Sequence, residues 1–428
     1  MAASTLKPLY VLDGVRTPFV KAGGAFEGVA ADELGRLVAR EVMLRATFDP
    51  ARLAEVIFGC VGQTAKAANV ARVIALRSGV PESVPAYTVH RNCASGSEAI
   101  VEAMLRMNAG LGDAYLVGGT ESMSNYPLAM SKKMIAWLET MRKADGFFAR
   151  LGRLLALGPA ELTPEIWLLQ GLTDPVCGQN MGVTAENIAS DFGIGRAAQD
   201  AFALASHQRA AAAVQKLREE TMDVVGSDGK LIRDDQSVRG GQTLADLAAL
   251  KPAFEKSHGT VTAGNACPVS DGACALLVGD EAAMRASGGA PLGRVRAFAT
   301  AGLDPSRMGL GPVHAIARLL DQTQLSLADI KLVEINEAFA AQVLGCRAAA
   351  TSADYAKKKL GGRAPIGDIP EEKLNVNGGA LALGHPVGAS GARLVLTLLK
   401  ELKRRGGGLG IASLCIGGGQ GTALLVEA

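Results

Sequence analysis

The sequence predicts a large α/β protein built from two similar halves with a segment inserted between them. Three observations lead there. Short apolar runs alternate with longer amphipathic ones along most of the 428 residues. A strand–turn–helix–strand unit near residue 84 is echoed by another near residue 374. Residues 122–268 between them have a different texture, helical and basic at their start.

Taken in order, "LYVLDGV", "EVIFGCV", "PAYTV" and "AYLVGG" read as strands, and "ADELGRLVAREVMLRA" as a helix between the first two. The first echoed unit is strand "VPAYTV", turn "HRNCASGS", helix "EAIVEAMLRMNAG" and strand "AYLVGG". Ile100, Ala103, Met104 and Met107 mark the inner face of that helix, and Gly110 can end it. In the insertion, residues 130–155 carry six basic side chains (Lys132, Lys133, Arg142, Lys143, Arg150, Arg153) against Glu139 and Asp145. Met134, Trp137, Leu138 and Met141 recur there at helical spacing, as do Phe147, Leu151, Leu154 and Leu155. The stretch "TAENIASDFGIGRAAQDAFALASHQRAAAAVQKLREE" predicts a helical pair split at "GIG". After about residue 270 come the strands "CALLVGD", "LGRVRAFAT" and "IKLVEINEAF". The second unit is strand "LNVNG", turn "GHPVGASG", helix "ARLVLTLLKELKRRGGG" and strand "LGIASLCIGGG". The expected division is 1–121 with 269–290 as the first half, 122–268 as a loop or lid domain, and 291–428 as the second half.

Composition narrows the function. The chain is 48% hydrophobic and 20% charged, and its net charge of +2 is too small to point to nucleic acid. No apolar run approaches the ~18 residues of a membrane span. The first residues lack the basic and apolar regions of a signal peptide, so the expected compartment is the cytoplasm. The seven cysteines contain no CxxC pair, which argues against a zinc site or a disulfide framework.

Four places could carry chemistry. Cys93, in "HRNCASGSEAI", follows a strand and begins a helix, where the dipole favours thiolate; the plainer reading is a buried structural cysteine. Cys415 ends a strand in "SLCIGGGQG", and only "TALLVEA" follows, so no helix remains to make a phosphate site of these glycines. His385 is fringed by glycines that allow close backbone approach, although a lone histidine usually serves the core. Asn336, in "INEAFA", is either an ordinary helix N-cap or part of a site.

"NCASGSEAI", "NEAFA", "GHPVGASGAR" and "CIGGGQG", in this order, resemble the signature segments of the thiolases, as do "RTPF", "GLTD", "NMGVTAENIA" and "GTVTAGNACPVSDGA". The resemblance covers nearly the whole chain. It implies two βαβαβαββ halves in a five-layered α/β/α/β/α arrangement with an inserted loop domain. It also implies an acyltransferase that splits 3-ketoacyl-CoA with coenzyme A, or condenses acyl-CoA in reverse. Cys93 would be the acyl-carrying nucleophile, His385 the base, and Cys415 the proton donor and acceptor. Asn336 would hold an oxyanion water, and Gly417 would supply a backbone oxyanion donor beside that of Cys93.

Coenzyme A, as substrate with no resident cofactor or metal, would touch Leu172, Met181, Arg239, Ala263, Gly264, Cys267 and Phe339. Many short-chain thiolases have histidine where Asn180 stands and serine where Asp246 and Cys267 stand, and Asp246 sits awkwardly beside an anionic ligand. The family's habits imply a homodimer or homotetramer. The 130–155 segment is similar to one in the thiolase subunits of fatty-acid oxidation complexes. There it would meet a partner enzyme or a membrane surface; alternatively it is a helical hairpin over the substrate with its charges in water. Other readings are a biosynthetic acetoacetyl-CoA thiolase, a decarboxylating condensing enzyme, which Cys415 disfavours, and a non-catalytic acyl-CoA or lipid-binding relative.

Overall fold

The computed structural model describes residues 6–428. In chain order, the first half supplies β1 (Leu9–Arg16), α1 (Ala31–Arg45), β2 (Glu55–Gly59), α2 (Val70–Arg77), β3 (Ala86–Val89), α3 (Ser95–Asn108) and β4 (Ala114–Ser122). The middle segment holds α4 (Lys132–Arg142), α5 (Phe147–Leu155), α6 (Met181–Asp191) and α7 (Arg196–Ala212). Then follow β5 (Ser270–Gly279), β6 (Gly293–Gly302), α8 (Gly311–Thr323), β7 (Leu332–Ile335), α9 (Ala340–Thr351), α10 (Val387–Arg404), β8 (Leu409–Ile416) and β9 (Gln420–Glu427).

The two halves repeat one sheet plan. The first runs β1–β5–β4–β2–β3, with β2 parallel to β3 and β4, and β5 antiparallel to β1 and β4. The second runs β6–β9–β8–β7, with β7 parallel to β8, and β9 antiparallel to β8 and β6. A short antiparallel ladder from Leu9–Val11 to Gly293–Val295 joins them edge to edge. The strand expected at "LNVNG" shrinks to one parallel bridge, Val333 to Leu374, in the position β3 takes in the first half. The reason lies in Asn375. Its backbone is left-handed at φ 45°, and its side chain accepts from Ile335 N (2.8 Å) and donates to Ile335 O (2.9 Å), doing what a strand partner would do.

Alternation along single strands shows that both sheets are covered on both faces. In β5, Ala273, Ala275 and Leu277 face a core with α1 and α2, while Cys274, Leu276 and Val278 face a central core with α3 and α10. In β9, Leu424 and Val426 join that central core, and Ala423 and Leu425 pack instead with α8 and α9. The five layers follow from this: α1/α2, sheet, α3/α10, sheet, α8/α9. Because α10 lies between two sheets, nearly all its residues from Gly388 to Leu402 are buried, including Arg393, which pairs with Glu334 at 3.3 Å.

Two glycines, Gly96 after Cys93 and Gly388 after His385, serve this middle layer. A Cβ on Gly96 would lie 2.8 Å from Ala392 N, and one on Gly388 2.5 Å from Thr120 O and 2.9 Å from Glu121 Oε2. They let the backbones of α3, β4 and α10 touch, rather than opening room beside the imidazole. The middle segment is tied to β1 by the buried Arg16, which pairs with Glu220 (2.7 Å) and Asp235 (2.6 Å). Its helical pair breaks between Asp191 and Arg196, where "GIG" predicts.

Candidate active site

Cys93 stands two residues ahead of α3, in the turn that leaves β3. The turn is closed by Ser95, whose Oγ accepts from Arg91 N (2.9 Å) and donates to Asn92 O (2.7 Å). The thiol is half-buried, and its pKa is raised. Desolvation is the larger cause; hydrogen bonds from the Gly417 and Cys93 backbone N–H groups pull the other way. The net direction favours the neutral thiol, against the pull toward thiolate that the start of α3 exerts.

Two more thiols share the place. Burial raises the pKa of Cys415 well above its usual value, with Cys93 and Cys267 among the further causes. Cys267 is pushed up to about 12, by burial first and then by Cys93. Cys415 sits at the end of β8, and β7 ends beside it because Ile335 pairs with Ser413. Asn336, whose N–H donates to Ser413 O (2.9 Å), is thereby set at the same sheet edge. It is fully buried and caps no helix, since α9 begins only at Ala340.

His385 stands two residues ahead of α10 and is 5% exposed. Its Nδ1 lies 2.6 Å from Ser390 Oγ, which itself donates to Pro386 O (3.0 Å). Ser390 has one hydroxyl proton for these two partners; given to Pro386 O, it leaves the ring proton on Nδ1 and the lone pair on Nε2, the tautomer assigned to His385. Nε2 faces Asn336 Nδ2 at 3.4 Å, and Asn336 Oδ1 is buried with no hydrogen-bond partner among the described residues. Burial, then the Arg393 charge, lowers the His385 pKa to about 3, so the ring is neutral at pH 7. The His385 N–H donates to Ser270 Oγ (3.3 Å), three residues after Cys267, which links the imidazole to the thiol group.

Two buried carboxylates hold these loops. Glu121, at the end of β4, accepts from Val61 N (3.0 Å), Gly62 N (2.8 Å) and Gly388 N (2.9 Å), pinning the first turn of α10 to the first half. Glu337 accepts from Ser206 Oγ (2.6 Å), Asn375 Nδ2 (2.8 Å) and Leu381 N (3.2 Å), joining α7 to the loop ahead of His385.

Of the residues expected along coenzyme A, Met181, Cys267 and Phe339 pack in one apolar cluster with Cys415. The Phe339 ring meets Phe254 edge-on at 6.0 Å. Leu172 adjoins them, its carbonyl accepting from Met181 N at 2.9 Å. Ala263 is exposed beside the buried Gly264, and Arg239 is exposed, with its N–H on His207 Nδ1 (3.1 Å). Asn180 caps α6 through Gly182 N (3.0 Å). Asp246 is engaged locally: its carboxylate accepts from Thr243 N (2.9 Å) and Oγ1 (2.7 Å) in a capping box. The residues the sequence reading missed are those acting through others: Ser390, Ser270, Glu121 and Asn92. Asn92, Ser270 and Ser390 carried a signal, being polar residues inside quoted motifs; Glu121 carried none. Among the described residues no group of side chains is arranged to hold a metal ion, and no helix is long and apolar enough to cross a membrane.

Comparison with known proteins gives one answer. Residues 9–282 match the family model for the thiolase N-terminal domain, and residues 289–428 that for the C-terminal domain. A 3-ketoacyl-CoA thiolase of Yersinia pestis (strain Pestoides F) is 38% identical over 423 residues, 98% of this chain and 96% of that protein. The crystal structure of the Bacillus anthracis acetyl-CoA acetyltransferase superposes with a TM-score of 0.85 at 35% identity, covering 100% of both chains. Human mitochondrial 3-ketoacyl-CoA thiolase in complex with CoA gives 0.84 at 35% identity, over 99% of this chain and 98% of that one.

Proposed function

The chain belongs to the thiolase family, and from that premise we propose that it cleaves 3-ketoacyl-CoA with coenzyme A in fatty-acid β-oxidation. It is an acyltransferase, and coenzyme A and acyl-CoA are its ligands. The observation that carries the residue assignment is the convergence, from both halves, of Cys93, Cys415 and the neutral His385–Asn336 pair on one set of strand ends.

Cys93 Sγ attacks the 3-keto carbon, and its proton passes to the free Nε2 of His385. The bond between C2 and C3 breaks, leaving an acyl thioester on Cys93 and an enolate of acetyl-CoA that Cys415 protonates at C2. Cys415 then takes the thiol proton of a second coenzyme A, whose sulfur attacks the thioester and releases the shortened acyl-CoA, while the departing Cys93 sulfur takes back the proton held on His385 Nε2. The Gly417 and Cys93 N–H groups, both directed at the Cys93 sulfur, suit the thioester oxyanion. His385 Nε2 and a water held at Asn336 Oδ1 suit the other. A thiol and an imidazole that both favour the neutral form support proton transfer coupled to attack, rather than a standing ion pair.

Coenzyme A would run past Met181, Leu172, Phe339 and Cys267, with Ala263 and Gly264 along its arm and Arg239 toward its phosphates. A second reading, condensation of two acetyl-CoA, uses the same residues in reverse and draws support from the likeness to the acetyl-CoA acetyltransferase. A cytoplasmic homodimer is the assembly proposed, since β3 leaves one sheet edge without a neighbouring strand and its residues are only half-buried. Phe147 and Phe148, 72% and 84% exposed beside the basic residues of α4 and α5, support a partner or membrane contact for 130–155.

The test is Cys93→Ser, assayed for CoA-dependent cleavage of acetoacetyl-CoA; a loss of at least ~10³-fold is expected, and near-normal turnover would overturn the assignment. A turnover series from C4 to C16 3-ketoacyl-CoA then separates the degradative from the biosynthetic reading.

A further inference from the structure

Asn92 immediately precedes the nucleophile, and nothing in the chemistry above uses it. Its backbone is left-handed at φ 43°, a region most L-residues avoid and that asparagine tolerates well. Its side-chain Nδ2 donates to Gly417 O at 2.8 Å, reaching from the first half of the chain to the turn between β8 and β9 in the second.

That turn needs holding. Gly417 is followed by Gly418 (φ 91°) and Gly419 (φ 77°), a run with the widest conformational freedom a chain can have. Its first carbonyl is gripped by Asn92. That hold restrains Gly417 itself, whose own N–H faces the Cys93 sulfur. Asn92 also governs the second donor, because the Cys93 N–H belongs to the peptide whose orientation follows the Asn92 backbone. A parallel strap, Arg91 Nη1 to Gln420 Oε1 at 3.3 Å, joins the same two turns.

We propose that Asn92 is the positioning residue of the thioester oxyanion site, aiming the Cys93 N–H through its backbone and the Gly417 N–H through its amide. This rests on the roles assigned above to Cys93 and Gly417. The residue touches no reacting atom; it acts on the two groups that do.

The experiment compares Asn92→Gly and Asn92→Asp with the unaltered enzyme and with Cys93→Ser. Asn92→Gly keeps the left-handed backbone without strain and removes only the clamp. Asn92→Asp keeps the shape but sets an acceptor against the Gly417 carbonyl. Iodoacetamide titration of Cys93 counts intact sites, and kcat per titrated thiol is the readout. Asn92→Gly is expected to lower it by ~10–100-fold, and Asn92→Asp at least as far, with KM for coenzyme A within about threefold; direct loss of an oxyanion donor costs about 10²–10³. Wild-type kcat per thiol in Asn92→Gly overturns the proposal, as does a loss confined to the number of titratable thiols. If Cys93→Ser also stays active, the site assignment fails instead.

Discussion

The turn that carries Cys93 and the turn that carries His385 occupy equivalent places in the two halves and solve different problems. Each follows the outermost strand position, contains a left-handed asparagine (Asn92 at φ 43°, Asn375 at φ 45°), and sets its reactive residue two positions ahead of a middle-layer helix. The first turn is short, residues 90–94, and leaves its thiol half-buried. The second, residues 375–386, folds a short helix of its own (Ala380–Leu383) and buries its imidazole. Their asparagines also differ: Asn375 ties its turn to its own sheet through Ile335, whereas Asn92 reaches the other half. Burial pushes the thiol up and the imidazole down, and in both cases favours the neutral form. Duplication supplied two equivalent turns, and their different lengths made one accessible and the other rigid.

The sharpest break in this comparison is His385→Ala. It should lower kcat for acetoacetyl-CoA cleavage by about 10³-fold, the usual scale for a general base, while leaving Cys93 open to iodoacetamide. Gly388→Ala attacks the contact that holds the second turn against the first half. Its Cβ would meet Thr120 O at 2.5 Å, and a loss of about 3 kcal/mol in denaturant unfolding is expected. A gentler probe is acid stability. His385 (pKa about 3) and His207 (about 4) are neutral when folded but protonate near 6.5 when unfolded, so the unfolded chain binds more protons below pH 6.5. Their contribution to stability therefore falls as pH drops from about 6.5 toward 4, while buried carboxyls whose pKa is raised, Glu334 among them, act in the opposite sense. His385→Asn should flatten that slope by up to ~1.4 kcal/mol per pH unit relative to the unaltered chain. Asp246→Ala should do least: it removes a local capping box, so Tm falls slightly and KM for coenzyme A stays within about twofold. A marked drop in KM would mean that the carboxylate faces the nucleotide after all.

Much of this was legible beforehand because it is local. The inner face of α3 at Ile100, Ala103, Met104 and Met107, the break at "GIG" and the helical spacing of α4 and α5 all follow from periodicity, and each is found where expected. The echo of the two units is present as matched strand orders. What was misread is instructive. The "LNVNG" strand fails because one asparagine side chain substitutes for the ladder. Two further features depend on surroundings that spacing does not report: burial raises the Cys93 pKa, and the Asp246 carboxylate accepts from Thr243 in a local capping box.

By itself the sequence determined the alternation of strands and helices, the repeated plan and which side chains are candidates for chemistry, since each depends on residues near one another along the chain. Only the folded structure decided that Asn92 meets Gly417, that Glu121 pins Gly388, that Ser390 meets the imidazole, and that Gly96 and Gly388 serve helix contact. Those are meetings between segments up to several hundred residues apart. They are settled by which backbones can touch and which buried groups find partners, and one-dimensional spacing does not encode that.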